Sequence, residues 1–210
     1  PIFKSKKIII QNIKKANIKH SDNPSQIASN VLGNYGRIFA EYVYLKKFRN
    51  DELKKYVSID GLEHLENLKN NNKKAVFISG HFNNFELMAM EIEKAGIDLA
   101  AIYRPLNNIF LNKTMEQIRK ENICKNQIKK GRAGSREIIK NLTEGKSIAL
   151  MIDQRVREGE KVKFFNNLAT TTTIPAQLVR KYNCELVPIY IERKKSNYFK
   201  IYISKPIKVS

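Results

Sequence analysis

The run Ser79-Gly80-His81-Phe82-Asn83-Asn84-Phe85-Glu86 sets an imidazole and a carboxylate five positions apart. A carboxylate on one ring nitrogen fixes the tautomer and raises the basicity of the other, which can then take a proton from a hydroxyl. His81 and Glu86 therefore read as a base and its orienting group, with a substrate hydroxyl supplying the nucleophile. Gly80 allows close backbone approach beside the ring. Asn83 or Asn84 is a candidate helix cap, and Asn84 is also a candidate substrate contact. Spacing alone favours an ordinary structural histidine. The position at a strand end, between Gly80 and a helix start, is what points to chemistry. Five positions do not give the i, i+4 pairing of a zinc-binding helix, and no third ligand stands nearby, so no metal is expected.

Other residues can serve the same chemistry. Arg104, held by Pro105 at a strand end, offers a planar fork for oxygen pairs, with a surface ion pair as the plain alternative. Asp153 and Gln154 close another strand and either shape an acceptor site or brace a loop. No second carboxylate accompanies Asp153 at metal-binding spacing. Lys125, Lys129, Lys130, Arg132 and Arg136, interleaved with Gly131 and Gly134, suit a phosphate or an acidic protein, and Arg132 is taken as the substrate contact among them. A solvated surface explains the same segment, and no Gly-Lys-Ser/Thr ends it as a P-loop requires. Thr170–Thr173 reads as a turn and cap, and His20 and His64 as surface residues.

These residues need a scaffold that brings strand ends together. Apolar runs at 75–79, 98–103 and 147–152 alternate with helical spacing over about 84–94, 107–121 and a stretch ending at Gly145. A helix near 174–183 precedes a hairpin of 186–192 with 198–203. That alternation predicts an α/β fold, a central mostly parallel or mixed sheet flanked by helices, with chemistry at the strand ends. Upstream, residues 1–20 form a basic amphipathic segment or an ordinary solvated helix, Asp22-Asn23-Pro24-Ser25 starts a helix over 25–48, and another covers 60–72. The expected division is an N-terminal helical region, 1–72, and an α/β core, 73–210, within one domain.

The 210 residues carry 39 Lys+Arg against 20 Asp+Glu, a net charge of +19. That field selects anionic partners: lipid headgroups, phosphorylated lipids, acidic proteins or nucleic acid. Only 10 of the cations are Arg, which weakens the case for base and phosphate reading. No run is long enough to span a bilayer. Cys124 and Cys184 show neither zinc nor disulfide spacing, which suits a reducing compartment. A start at Pro1 and an end at Ser210 directly after a strand-like run read as a piece of a longer protein.

The segment from Ser79 to Glu86 resembles the His-x4-Asp/Glu block of the glycerolipid and lysophospholipid acyltransferase superfamily. Its surroundings resemble, more narrowly, the bacterial lipid A biosynthesis acyltransferases. Tyr103-Arg104-Pro105, Met151-Ile152-Asp153-Gln154, Val162-Lys163-Phe164-Phe165 with Ala169-Thr170-Thr171, and Leu186-Val187-Pro188-Ile189-Tyr190 follow in the family's order, and Gly36 to Tyr42 fits upstream. Asn166 departs from the family's usual Gly, which puts the tight turn there in question. The resemblance implies a glycerolipid-acyltransferase-like fold and transfer of a fatty acyl chain from acyl-carrier protein to a hydroxyl of an anionic glycolipid, a lipid A precursor, without a cofactor. It also implies work at the cytoplasmic face of the bacterial inner membrane, with an anchoring helix before Pro1 and a helical region after Ser210. Another glycolipid or lysophospholipid acceptor, a hydrolase using water, and a nucleic-acid-binding module are the alternatives. The last has no helix-turn-helix or RNP-like pattern to support it.

Overall fold

The computed structural model describes residues 2–17, 23–106, 108–154, 156–195 and 197–208. The chain falls into two compact units, one of residues 1–43 with 155–172 and one of 44–154 with 173–210.

The larger unit is built on a seven-stranded sheet. Its strands are β1 (Val57–Asp60), β2 (Ala75–Ser79), β3 (Leu99–Tyr103), β4 (Asn126–Lys129), β5 (Ser147–Met151), and, later in the chain, β8 (Glu185–Arg193) and β9 (Phe199–Ile203). Their order is β1-β9-β8-β2-β5-β3-β4. Every pairing is parallel except β8 with β9, which is the expected antiparallel hairpin. The mostly parallel α/β fold read from the sequence is therefore the one observed. Of the strands recognised from sequence, β2, β3 and β5 lie inside the sheet and are near-continuously apolar, while β8 and β9 carry polar residues on their less buried face. β1 and β4 escaped because they are four-residue edge strands: β1 alternates Val57 and Ile59 with polar residues over too short a run to stand out, and β4 is mostly polar.

Helices cover both faces of this sheet. Val76 and Phe77 point to opposite sides of β2, and both are fully buried. On one side α7 (Arg132–Thr143) and α8 (Ile174–Tyr182) bring Leu142, Leu178 and Val179 against Val76, Ala100, Ile148 and Leu150. Elsewhere α5 (Glu86–Lys94) buries Leu87, Met90 and Ile92 beside β3 and β8. The remaining helices of this unit are α3 (Leu45–Arg49), α4 (Leu62–Asn70) and α6 (Ile109–Asn122). β1 lies within the segment assigned from sequence to the N-terminal helical region, yet it pairs with β9.

The smaller unit holds α1 (Ile2–Ala16), α2 (Pro24–Glu41) and a hairpin of β6 (Glu160–Phe164) with β7 (Asn167–Thr171). Asn23 starts α2 as expected, its side chain accepting from Ser25 N at 2.8 Å with Pro24 in the first turn. The helix read over 25–48 is interrupted by a 3₁₀ turn at Tyr42–Tyr44 before α3. The hairpin was not among the elements expected from sequence, and Thr170 and Thr171, read as part of a turn and cap, lie in β7. Phe165 and Asn166, with φ of 46° and 61°, form its two-residue turn. Asn tolerates the left-handed conformation better than any residue but Gly, so the turn closes without the family's glycine.

Both cysteines are free and buried. The Cys124 thiol donates to Leu99 O at 3.1 Å, and burial pushes it up to about 12. Burial raises the Cys184 thiol as well. We expect neither to react with Ellman's reagent at mildly alkaline pH while the protein is folded, and both to react in denaturant. Rapid labelling of the folded protein would contradict this placement.

Candidate active site

β2 and β5 are adjacent in the sheet, yet the chain leaves them in opposite directions. From β2 it crosses to β3, and after β5 it next enters the sheet at β8, on the other side of β2. Such a divergence opens a crevice at the carboxyl ends of the two strands. Ser79 and Met151, their last residues, are in register, and Ile152 N donates to Ser79 O at 2.8 Å. The residues immediately beyond, His81 and Asp153, meet across this seam.

One carboxylate grips His81 twice. The backbone N–H of His81 donates to Asp153 Oδ2 at 2.8 Å, and ring Nδ1 lies 2.8 Å from Oδ1. With an ionised carboxylate opposite, Nδ1 carries the proton and donates it, which leaves the Nε2 lone pair for a substrate. The imidazole side chain is 21 % exposed, and its edge meets the Phe85 ring, with centroids 4.9 Å apart. Burial raises the Asp153 carboxyl, but the ring and backbone hydrogen bonds from His81 outweigh it and hold the group below its ordinary range.

The loop geometry explains why Asp153 and not Glu86 takes this position. Phe82 N donates back to Gly80 O at 2.8 Å, a tight reversal, and Asn83 follows at φ 41°. Asn83 Nδ2 then ties the loop to Ile191 O of β8 at 3.1 Å. At Gly80 a Cβ would lie 2.9 Å from the half-exposed Phe82 ring and 3.3 Å from Asp153 Oδ2, so a larger residue there would displace the ring. Phe85 caps α5 without a side-chain hydrogen bond, so neither Asn83 nor Asn84 takes the expected capping role. Asn84 is instead completely buried.

Glu86 opens α5 and is 8 % exposed. A buried carboxylate needs a cation, and α6 supplies one: Arg119 Nε and Nη2 donate to Glu86 Oε1 at 3.0 and 2.8 Å. The expected His81–Glu86 contact is thus replaced by His81–Asp153 and Glu86–Arg119. The Arg119 guanidinium lies over the Tyr103 ring, 5.7 Å from its centroid. Tyr103 OH donates to Glu116 Oε1 at 2.6 Å, as does Asn112 Nδ2 at 2.7 Å, and Asn112 Oδ1 accepts from Leu106 N at 2.8 Å. Hydrogen bonds from Tyr103 and Asn112 lower the Glu116 carboxyl. Burial, with the Glu116 hydrogen bond, raises the Tyr103 phenol beyond its ordinary range. This part-buried chain runs from the start of α5 to the loop that carries Arg104.

Arg104 and Gln154 are both exposed, beyond β3 and β5 respectively. Arg132 opens α7, but its side chain lies outside the described residues, as do His20 and Asn107. The basic stretch around Arg132 has a structural reason for one of its glycines: a Cβ on Gly134 would lie 2.0 Å from Lys129 O. Lys129 itself pairs with Glu116 at 3.5 Å. His64 is more enclosed than expected, its side chain 17 % exposed beside Glu63. Arg119 is the site-related residue that sequence reading missed. The only available signal was that an acid in the first turn of a buried helix requires a cation from elsewhere.

A model of the family described as bacterial lipid A biosynthesis acyltransferase matches residues 2–210. The structure is similar to the crystal structure of the 1-acyl-sn-glycerophosphate (LPA) acyltransferase PlsC from Thermotoga maritima. The match has 13% identity and a TM-score of 0.46, over 98% of this chain and 82% of that one. Comparison with curated proteins gave no match.

Proposed function

The chain belongs to the bacterial lipid A biosynthesis acyltransferase family, and on that premise we propose that it moves a fatty acyl chain from an acyl-carrier-protein thioester to a hydroxyl of a lipid A precursor, with His81 as the base. The observation that carries this reading is the double grip of Asp153 on His81 at the carboxyl ends of β2 and β5. His81 Nε2 takes the proton from the acceptor hydroxyl as that oxygen attacks the thioester carbonyl. The ionised Asp153 stabilises the imidazolium that forms. As the tetrahedral intermediate collapses, the carbon–sulfur bond breaks and the imidazolium returns the proton to the departing thiolate. The products are an ester and a free carrier thiol.

The other residues divide by position. β3 runs parallel to β5, so Arg104 leaves the sheet at the same edge as His81 and Asp153 and is suited to a phosphate of the acceptor. Gln154, exposed next to Asp153 in the chain, is assigned to an acceptor contact, whereas Asn84, completely buried, presents no surface to a substrate and is not given the contact expected of it. Arg132, in a segment rich in cations, is assigned to the anionic substrate or the acidic carrier. Glu86 holds Arg119. The net charge of +19 suits an anionic glycolipid, an acidic carrier and the cytoplasmic face of the inner membrane better than nucleic acid. Among the described residues no helix is long and apolar enough to cross a membrane.

Incubation with an acyl-carrier-protein thioester, with and without a Kdo-bearing lipid A precursor, tests the assignment. We expect thioester consumption to depend on the glycolipid and mass spectrometry to show one added acyl ester. Consumption at the same rate without any acceptor would identify a hydrolase instead.

A further inference from the structure

The tip of the β6–β7 hairpin presents large apolar side chains to solvent. Phe164 and Phe165 meet edge to face, with centroids 4.4 Å apart, yet remain 63 % and 48 % exposed. Leu168, opposite Lys163 in the ladder, is 73 % exposed. Phe165 also holds φ 46°, a left-handed backbone that a bulky aromatic adopts only at a cost. An exposed ring on a strained turn adds no core, so its stability cost calls for a contact outside the folded chain.

The charges around the tip define that contact. Lys161 and Lys163 alternate with Val162 and Phe164 along β6. Asn167 Nδ2 donates to Lys15 O at 2.9 Å, which sets the turn beside the end of α1, where Lys14 and Lys15 are exposed. The nearest acids of the hairpin, Glu158 and Glu160, lie towards its open end. Lys161, Lys163 and Leu168 share one face of the ladder and Phe164 takes the other, so the tip is an aromatic wedge with lysines along one face and at the adjoining end of α1. Aromatic rings favour the headgroup level of a bilayer, and lysines lay their stems along apolar surface while the ammonium groups reach lipid phosphates. A second copy is a poor partner, since twofold pairing of this tip would set its lysines against their own equivalents.

We propose that the β6–β7 tip inserts into the headgroup region of an anionic lipid bilayer, with Phe164, Phe165 and Leu168 as the wedge and Lys161, Lys163, Lys14 and Lys15 as its electrostatic collar. This stands on the smaller unit alone and does not rest on the acyl-transfer reading.

The chain contains no Trp, so Phe164→Trp places a single indole at the tip. With the intact protein, its emission shifts to the blue on adding vesicles of phosphatidylcholine with phosphatidylglycerol, and brominated lipid quenches it. Phosphatidylcholine alone, or high salt, removes the effect. In flotation with the same vesicles, Phe164→Ser/Phe165→Gly lowers partitioning by about tenfold or more. Gly at position 165 suits the left-handed turn, so this variant keeps its circular dichroism and melting transition. Unshifted emission, equal response to both vesicle types, or wild-type flotation by the double variant overturns the proposal. So does a concentration-dependent dimer in sedimentation that the double variant abolishes, which would make the tip a self-interface.

Discussion

Asp153→Asn lowers acyl transfer by about 10²–10⁴, the range associated with loss of a working general base, although the side chain keeps its size and place. The reason lies in the polarity of the two contacts. The carboxylate faces two donors of His81, the backbone N–H and Nδ1–H. An amide offers one acceptor and one NH₂ group, so it cannot satisfy both. If its oxygen faces the backbone, the NH₂ faces Nδ1 and drives the ring to the tautomer protonated on Nε2, which cannot accept the hydroxyl proton. If its oxygen faces the ring, the backbone donor is left opposite another donor and the loop shifts. In either case the charge that supports the imidazolium is gone. The hydrogen bonds from His81 hold the Asp153 carboxyl below its ordinary value, so the group is already ionised throughout the neutral range. Its contribution to stability is present above the ordinary carboxylate pKa and is lost only as pH falls through the lowered value. The measurement is kcat for the glycolipid-dependent reaction beside the melting temperature, with His81→Ala as the reference. A fully active, folded Asp153→Asn protein would remove Asp153 from the dyad. Loss of activity in Glu86→Gln equal to that of His81→Ala, at an unchanged melting temperature, would return the orienting role to Glu86.

Arg119→Met has the second large effect, and it is chiefly on stability. The side chains of Arg119 and Glu86 are only 12% and 9% exposed. Removing the cation takes the paired charge from the buried Glu86 carboxylate and the guanidinium from the Tyr103 ring. Breaking a buried pair from one side typically costs about 3–5 kcal/mol. Replacing both partners by apolar residues of similar volume is far milder, because no isolated charge remains buried. In urea unfolding we therefore expect Arg119→Met to fall well below the double variant Glu86→Leu/Arg119→Met. If the single change is harmless, or the double change is as damaging as the single, the pair does not carry the stability of this corner.

The contrast between these two carboxylates shows what the one-dimensional reading was able to capture. The central strands, the α5 and α8 helices and the position of His81 at a strand end were all legible, because each depends on local periodicity and on Gly80 and its neighbours. The pairing of the carboxylates was not. Glu86 is close to His81 in the chain, but the reversal at Gly80–Phe82 and the left-handed Asn83 send the start of α5 towards Arg119. Asp153 is remote in sequence and arrives only through the register of β2 with β5. Edge strand β4 and the β6–β7 hairpin were missed for a different reason. Their residues are mostly polar, or apolar and facing solvent, so no burial pattern marks them, while β1 keeps its alternation over only four residues.

The β2–β5 seam also sets when, during synthesis, the site can exist. His81 and Asp153 are 72 positions apart, and β3, α6, β4 and α7 all lie between them in the chain. A nascent chain that has just passed α5 holds the imidazole but not Asp153, its partner at Nδ1. Only after β5 has emerged and inserted between β2 and β3 does the second group arrive. Parallel pairing over such a span is among the slower events of folding, since loop closure must precede any contact that rewards it. The His81–Asp153 pair is consequently assembled late, and a growing chain lacks it until its central sheet has closed.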